Sequence, residues 1–331
     1  MTGGRAAAPR AGTVGPLVFA ALAIGLGWLV ALPLHLGDGL ESPAFGVLAI
    51  VFMCTTAIAA LVTARFVDGT RGVWRSLGAW PLAPASRLLA WLAVAFGVCL
   101  AVVLAALPVG ALLGVYPADF VSLSGFAALV DGQLAAAGLP AGSQPVLGLA
   151  IVQLAMIVPA SLVNMFPAFG EELGWRGYLY PRLRRLGAAP AVVVTGIVWG
   201  VWHAPLLLLG YNYPGAEPAL AIAAMCGMCI VLGGVLAWLR ERSGSVWPAV
   251  LGHGVVNAAA GSTMVLFAAA GEPVDTLQAG ILGWSGWIVP GILVIVLLAV
   301  GAYRGPRPRA VPVFDIEGAD AGSGPVVGSS A

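Results

Sequence analysis

The sequence contains no lysine and few charged residues of any kind. All 15 basic residues are arginine, and charged residues make up only 9% of the 331. Soluble domains carry about 25% charged residues. A chain that is 60% hydrophobic cannot hide its apolar surface in one water-soluble core, so most of it should lie in lipid. The net charge of +1 offers no basic surface, and we expect no nucleic-acid partner.

Cysteines are also scarce, and their positions predict no disulfide framework. Cys54, Cys99, Cys226 and Cys229 all lie in apolar runs. The CxxC formed by Cys226 and Cys229 would be typical of a redox or metal pair in another setting. Because this pair lies at membrane depth, we interpret the two residues as small side chains at a contact between helices.

Long apolar runs predict an all-α fold, a polytopic transmembrane helical bundle of about eight spans. A run of about 20 apolar residues is enough to cross a bilayer. Such runs fall near 14–35, 44–65, 88–114, 147–170, 189–209, 218–239, 247–269 and 280–302. The first is too long for a secretory signal and no cleavage site follows it, so we interpret it as a retained span.

The arginine positions predict the orientation of the bundle. If the spans alternate, all 15 arginines fall on one side, and the opposite loops hold seven acidic residues and no arginine. The positive-inside rule then places the arginine side and both termini in the cytoplasm. The arginine-only, Ala- and Gly-rich composition suggests a bacterial cytoplasmic membrane, in which the lipid bilayer surrounds the spans.

Composition divides the chain into four parts. Residues 1–13 form a cytoplasmic tail, and 14–146 hold three spans plus an outer amphipathic segment, "SLSGFAALVDGQLAAAGLP". Residues 147–302 form a core of about five spans that carries every motif described below. Residues 303–331 are rich in Gly, Ser, Ala and Pro, and we expect a disordered cytoplasmic tail.

The stretch "GEELGWRGYLYPRLRR" places charged groups beside the fourth span. An ionisable group at membrane depth is costly and is by default a functional candidate. Glu172 and Arg176 are four residues apart and can pair on one helical face, whereas Glu171 points about 100° away. The simpler alternative is a helix end whose charges are solvated at the interface.

Two further polar pairs lie in later spans. Trp199 and His203 are four residues apart, and so are His253 and Asn257, so each pair shares one helical face. The GxxxG of Gly196 and Gly200 would let another helix approach closely. Each histidine could instead make only a structural hydrogen bond within the bundle. If 171–185 continues as helix, the three places lie at comparable depths and permit one convergent site.

The ordered motifs Glu171-Glu172-x-x-x-Arg176, Trp199-x-x-x-His203 and His253-x-x-x-Asn257 resemble the CPBP family. This family contains the CAAX prenyl proteases and bacteriocin-processing intramembrane proteases, with the pattern EExxxR, FxxxH and HxxxN. The resemblance covers about 165–260. Trp199 stands where the family usually has Phe, and we expect this difference to change the shape of the pocket more than its chemistry.

The resemblance implies an intramembrane endopeptidase that cuts a peptide or protein substrate in or at the membrane, near the cytoplasmic side. By that resemblance, Glu171 and His203 would position and deprotonate water, and His253 and Asn257 would stabilise the oxyanion. Glu172 and Arg176 would form a structural pair that orients the first carboxylate, with Trp199 shaping the pocket beside the histidine.

Three alternatives stay open at this point. Glu171, His203 and His253 could bind zinc with an open water position. We favour metal-free hydrolysis, because an Asn is a natural oxyanion donor and an unusual zinc ligand. Buried Glu and His also occur in proton-coupled transporters, although no inverted repeat is visible. A non-enzymatic bacteriocin-immunity protein that binds a partner through its spans is the third.

Overall fold

The computed structural model describes residues 14–82 and 84–304. Within these ranges the chain forms helices joined by short loops and contains no β-strand, only an isolated antiparallel bridge between Ala118 and Ala268. The predicted all-α membrane bundle is therefore confirmed. The cytoplasmic tail predicted at 1–13, and all of the tail predicted at 303–331 except its first two residues, lie outside the described residues.

The described chain forms α-helices of very different lengths, because several spans are broken into two pieces. In chain order they are α1 Val14–Leu36, α2 Phe45–Val62, α3 Val73–Ser76, α4 Ala85–Leu112, α5 Ser124–Ala136, α6 Val146–Ala155, α7 Ile157–Glu172, α8 Tyr180–Leu183, α9 Ala188–Trp202, α10 Ala204–Leu207, α11 Pro218–Ser243, α12 Trp247–Leu266 and α13 Ile288–Ala299. Thr63–Val67 and Leu173–Leu179 are π-helical, and Gly39–Glu41, Arg184–Leu186 and Trp284–Trp287 are 3₁₀-helical.

Six helical segments are long and apolar enough to cross a membrane. They are Val14–Leu36, Phe45–Val67, Ala85–Leu112, Val146–Leu186, Pro218–Ser243 and Trp247–Leu266. Shorter apolar helices, Ala188–Trp202 and Trp284–Ala299, occupy the positions of the fifth and eighth predicted spans. The chain is thus an integral, multi-pass membrane protein. Six of the eight predicted spans have the length needed to cross the bilayer alone.

The fourth span differs most from its prediction. We expected it to end at residue 170, but the helical segment runs through 41 residues to Leu186. It is interrupted at Met156 because Pro159 has no N–H to donate to Ala155 and its ring crowds that carbonyl group. The π-helical turn that follows Glu172 keeps Arg176 inside the bundle, where it is fully buried. A π-helical turn of this kind is frequent at functional sites.

Helices α9 and α11 pack backbone against backbone. A Cβ atom added to Gly200 would lie 2.5 Å from Cys226 Cα, and one added to Gly196 would lie 2.6 Å from Ile230 Cα. This confirms the close approach expected of the GxxxG. It also confirms that Cys226 is a small residue at a helix contact, and all four cysteines are free. The contact fixes the helix that carries Trp199.

Arginine side chains tie several helix ends together at one end of the bundle, which we call the arginine end. Arg182 forms an ion pair of 2.6 Å with Asp68 beyond α2. Arg184 pairs with Glu241 of α11 and donates a hydrogen bond of 2.9 Å to the carbonyl oxygen of Tyr303. The helix ends that bear arginine are thus gathered together, as alternating spans require. The membrane face of this end stays a prediction.

The outer amphipathic segment forms α5, at the end of the bundle away from the arginines. Asp119 holds the loop before it by accepting hydrogen bonds from the N–H groups of Ser122, at 2.8 Å, and Ser124, at 3.1 Å. The hydroxyl group of Ser124, together with these N–H groups, lowers the pKa of Asp119 to about 2. The carboxylate therefore fixes the entry into α5 at neutral pH.

Candidate functional site

The seven residues singled out in the sequence come together in the bundle, where five are buried, His203 is half-buried and Asn257 is exposed. Glu171 and Glu172 end α7, Arg176 lies in the π-helical turn, Trp199 and His203 lie at the end of α9, and His253 and Asn257 lie on α12. These positions come together because α7 packs against α12 and α9 packs against α11. The alternative of a charged helix end solvated at the interface is therefore wrong, since both glutamates and Arg176 are at most 2% exposed.

Glu172 holds two of the other polar residues. Its Oε1 accepts a hydrogen bond of 2.9 Å from Arg176 Nη1, as their four-residue spacing predicts. The same oxygen lies 2.9 Å from His253 Nδ1, a contact across 81 residues of sequence that we did not predict. A carboxylate oxygen accepts, so His253 Nδ1 donates. Glu172 thereby fixes the ring of His253 on α12, and its contacts are with this ring and Arg176 rather than with Glu171.

Glu171 is held by two tryptophans through one of its oxygens. Oε2 accepts hydrogen bonds from the indole Nε1 of Trp199, at 2.6 Å, and of Trp175, at 3.2 Å. Oε1 accepts no hydrogen bond from the described residues. The sequence interpretation missed Trp175, although its position four residues after Glu171 was a usable signal. A Phe at position 199 has no donor, so Trp199 changes the chemistry around Glu171 as well as the shape of the pocket.

The ring of His203 is oriented by its own helix. Its Nδ1 lies 2.9 Å from the carbonyl oxygen of Trp199, and because a carbonyl only accepts, Nδ1 is the donor. The expected alternative, a histidine bonded to a backbone carbonyl, is thus present, but within one helical turn instead of across the bundle. In the neutral ring this leaves Nε2 as an acceptor. The edge of the Trp202 ring packs against His203 at 4.8 Å between centroids.

The guanidinium group of Arg176 is buried with incomplete hydrogen bonding. Its Nε and Nη2 have no partner among the described residues, and neither has Oε2 of Glu172. The ring of Trp199 compensates in part, because the guanidinium carbon lies 4.3 Å from its centroid. Trp199 therefore contacts Glu171 with its N–H and Arg176 with its face, and it connects the two charged groups.

A cavity of about 500 Å³ is lined by one of the two glutamates and not by the other. Glu171, Trp199, His203, His253 and Asn257 line it, whereas Glu172 and Arg176 lie behind its wall. The four residues predicted to do chemistry thus share one space. The two predicted to be structural are placed outside it.

The cavity extends away from the arginine end of the bundle. Besides the polar residues, Tyr211 and Asn212 from the loop after α10 and Thr276 from the loop after α12 line it. Which membrane face the site opens to stays a prediction; we expected it to open toward the arginine side, whereas its lining residues reach loops at the other end. The physical reason is that Arg176 and Trp175 are fully buried and fill the bundle on that side of Glu171.

The three residues considered as zinc ligands do not form a metal site in this arrangement. Across residues 14–82 and 84–304, no group of three or more His, Cys, Asp or Glu side chains could hold a metal ion. The Nδ1 atoms of His203 and His253 are both committed to other acceptors, and Oε2 of Glu171 to two indoles. These contacts leave Nε2 of each histidine and Oε1 of Glu171 without a partner among the described residues.

Comparisons with known proteins match the same part of the chain. Residues 152–259 match the family described as type II CAAX prenyl endopeptidase Rce1-like. Over 106 residues the chain is 39% identical to CAAX prenyl protease 2 of Methanococcus maripaludis, a match that covers 30% of this chain and 39% of that relative. The chain therefore matches less than half the length of this curated relative. Residues 152–259, which contain all seven site residues, are therefore similar to the CAAX prenyl endopeptidases, and this supports the resemblance to the CPBP family drawn from the motifs.

Proposed function

We propose that the protein is an intramembrane endopeptidase that hydrolyses a peptide bond with a water activated by Glu171. The observation that carries this proposal is the shared cavity, which brings Glu171, His203, His253 and Asn257 to one space within an apolar bundle. A proton-coupled transporter would need polar groups along a path, whereas these line a single chamber.

Glu171 and His203 would prepare the water. Oε1 of Glu171 is the oxygen left without a donor, and Nε2 of His203 is an acceptor in the neutral ring. A water held between them would lose a proton to Glu171 as its oxygen attacks the carbonyl carbon of the substrate. Glu171 would then return this proton to the leaving amine nitrogen when the C–N bond breaks.

His253 and Asn257 would stabilise the oxyanion. The side-chain amide of Asn257 lines the cavity and can donate a hydrogen bond without carrying a charge. Because His253 Nδ1 donates to Glu172, its Nε2 can donate only when the ring is protonated. Glu172 supplies the opposite charge for that form. In this mechanism Glu172 orients the oxyanion donor, and the two indoles orient the base.

The test is turnover by matched Glu→Gln variants. The probes are internally quenched peptides in detergent micelles, one with an S-prenylated cysteine followed by three residues and one without the lipid. The prenylated probe follows the name of the Methanococcus relative. We expect Glu171→Gln to lower kcat by about 10²- to 10⁴-fold and His203→Ala to abolish turnover. Glu272→Gln changes an exposed carboxylate and should leave kcat unchanged. Wild-type turnover by Glu171→Gln would overturn the proposal.

The metal-free form of this mechanism has its own test. Metal content and activity are measured on the same preparation before and after chelation. We expect full turnover in protein whose metal content is far below one ion per chain. Activity that disappears with the metal and returns with added zinc would instead support the three-ligand alternative.

We also propose that the arginine end faces the cytoplasm of a bacterial cell, so that the cavity opens toward the outer face. Pro214 lies in the exposed loop near the mouth, and Arg71 is exposed at the opposite end. In intact cells, a membrane-impermeant thiol reagent should label Pro214→Cys and not Arg71→Cys. The reverse pattern would show that the arginine end faces outward.

A further inference from the structure

All three asparagines of this 331-residue chain line the same cavity. They are Asn164 on α7, Asn212 in the loop after α10 and Asn257 on α12. Only Asn257 belongs to a motif identified in the sequence. An amide side chain is expensive in an apolar bundle unless it is hydrogen-bonded. Two helices and one loop nevertheless bring all three asparagines to this cavity.

Asn164 and Asn257 lie at the closest crossing of α7 and α12. A Cβ atom on Gly254 would lie 2.7 Å from the carbonyl oxygen of Ser161 and 3.3 Å from the carbonyl carbon of Asn164. Asn257 is three residues beyond Gly254, so the two amides belong to facing turns. Asn164 is also two helical turns from Glu171 on the same helix, about 10 Å along its axis.

The three amide side chains have hydrogen-bonding atoms that remain available to a bound ligand. Asn164 Nδ2 donates to the carbonyl oxygen of Ala160 at 2.9 Å, and its Oδ1 accepts nothing from the described residues. The side chains of Asn212 and Asn257 have no hydrogen-bond partner within the described part of the chain. Asn212 is held in place by its backbone, which has a φ of 64° and whose carbonyl oxygen accepts from Thr276 Oγ1 at 2.7 Å.

We propose that Asn164 and Asn212, together with Asn257, bind the backbone of an extended peptide and present one of its carbonyl groups to Glu171. Each amide offers one acceptor and two donors without a charge. This set matches the alternating N–H and C=O groups of a peptide strand, which must be satisfied where lipid and apolar side chains exclude water. Apolar wall residues such as Phe52, Met228 and Leu232 would hold the side chains of the peptide.

This inference rests on the proposed function for its geometry, but binding tests it without hydrolysis. All variants are made in the Glu171→Gln protein, and the affinity of the fluorescent prenylated and unprenylated peptides is measured by anisotropy. Asn164→Leu removes the amide at similar volume, and Asn212→Gly removes it while allowing the positive φ. We expect each to weaken binding about two- to tenfold, the range of one net hydrogen bond. Gln153→Leu, an amide outside the cavity, should not change the affinity.

Backbone methylation shows which peptide group each asparagine contacts. A series of the same peptide, each N-methylated at one amide, is bound to the parent and to Asn164→Leu. At one position, we expect N-methylation to weaken binding to the parent but not to Asn164→Leu. The leucine variant already lacks the amide that this peptide N–H would contact. Asn164→Ala, with its melting temperature measured, repeats the test if the leucine variant does not fold.

The outcomes separate the two proposals. Asparagine-dependent binding without turnover by the wild type would leave the peptide site standing and overturn hydrolysis. The wild type could instead turn over the peptide while the asparagine variants bind it as tightly as the parent. That result would overturn the peptide site alone. Additive effects at every methylated position, or no binding of any peptide by Glu171→Gln, would also overturn it.

Discussion

Trp199 donates a hydrogen bond of 2.6 Å from its indole Nε1 to Oε2 of Glu171. The related family motif usually has Phe at this position, which offers no donor. The bond leaves Oε1 as the oxygen available to a water. The same ring stacks under Arg176, whose carbon Cζ lies 4.3 Å from the ring centroid. One side chain therefore fixes the orientation of the proposed base and shields the buried cation next to it.

Trp199→Phe should lower kcat more than it changes KM. Hydrogen bonds to charged groups contribute about 1.5–3 kcal/mol, so full loss of positioning corresponds to about a 10- to 100-fold lower kcat. Trp175→Phe removes the longer bond, 3.2 Å, and should have a smaller effect. Steady-state kinetics on the quenched peptides measures both. A Trp199→Phe enzyme with wild-type kcat would show that the bond does not position the base.

Glu172→Gln should destabilise the protein, whereas Glu171→Gln should not. Loss of the Glu172 charge leaves the fully buried Arg176 without its ion pair, which costs about 3–5 kcal/mol. Glu171→Gln keeps an oxygen that can accept from Trp199. Thermal unfolding of both variants in one detergent is the measurement.

The matched double variant tests the cause of this loss. Glu172→Gln combined with Arg176→Met replaces the ion pair by two uncharged side chains. The double variant should therefore melt at a higher temperature than Glu172→Gln alone. If Glu172→Gln unfolds at the wild-type temperature, the buried pair does not stabilise the fold. If the double variant melts at a lower temperature than Glu172→Gln alone, the unpaired arginine is not the cause of the destabilisation.

Gly200→Ala should loosen the contact between α9 and α11. The added Cβ would lie 2.5 Å from Cys226 Cα, so the backbones must separate, at a cost of about 1–3 kcal/mol. Gly97→Ala on α4 is the control, because no atom lies within 4 Å of its new Cβ and alanine favours a helix. We expect a lower melting temperature for the first variant only. Equal melting temperatures would contradict the packing argument.

The loop before α5 should lose order only in strong acid. The pKa of Asp119 is lowered from 3.8 to about 2, so its ordering effect is present above the ordinary value and is lost as pH falls through about 2. Pepsin cleavage within residues 117–124 should therefore accelerate between about pH 4 and pH 2. Asp119→Asn does not titrate and serves as the reference at each pH. An unchanged ratio of the two rates would contradict this.

Much of the site was predictable because its spacing is local. A four-residue interval places Glu172 beside Arg176 on any helix, and the structure contains that pair. The same rule places Trp175 beside Glu171, and the structure contains that contact as well. The contact of His253 with Glu172 was beyond such rules, because it depends on how α12 crosses α7.

The sequence by itself determined that this is a helical membrane protein, where its apolar segments lie and which residues are out of place in lipid. Those properties follow from composition and from the fixed rise and rotation of a helix. Only the tertiary structure decided that Glu171 lines a cavity while Glu172 is sealed behind it, that the cavity extends away from the arginine end, and that Asn164 and Asn212 join Asn257 there. Those properties depend on helix crossings at glycines such as Gly254, where the distance between backbones is set by side chains far apart in the sequence.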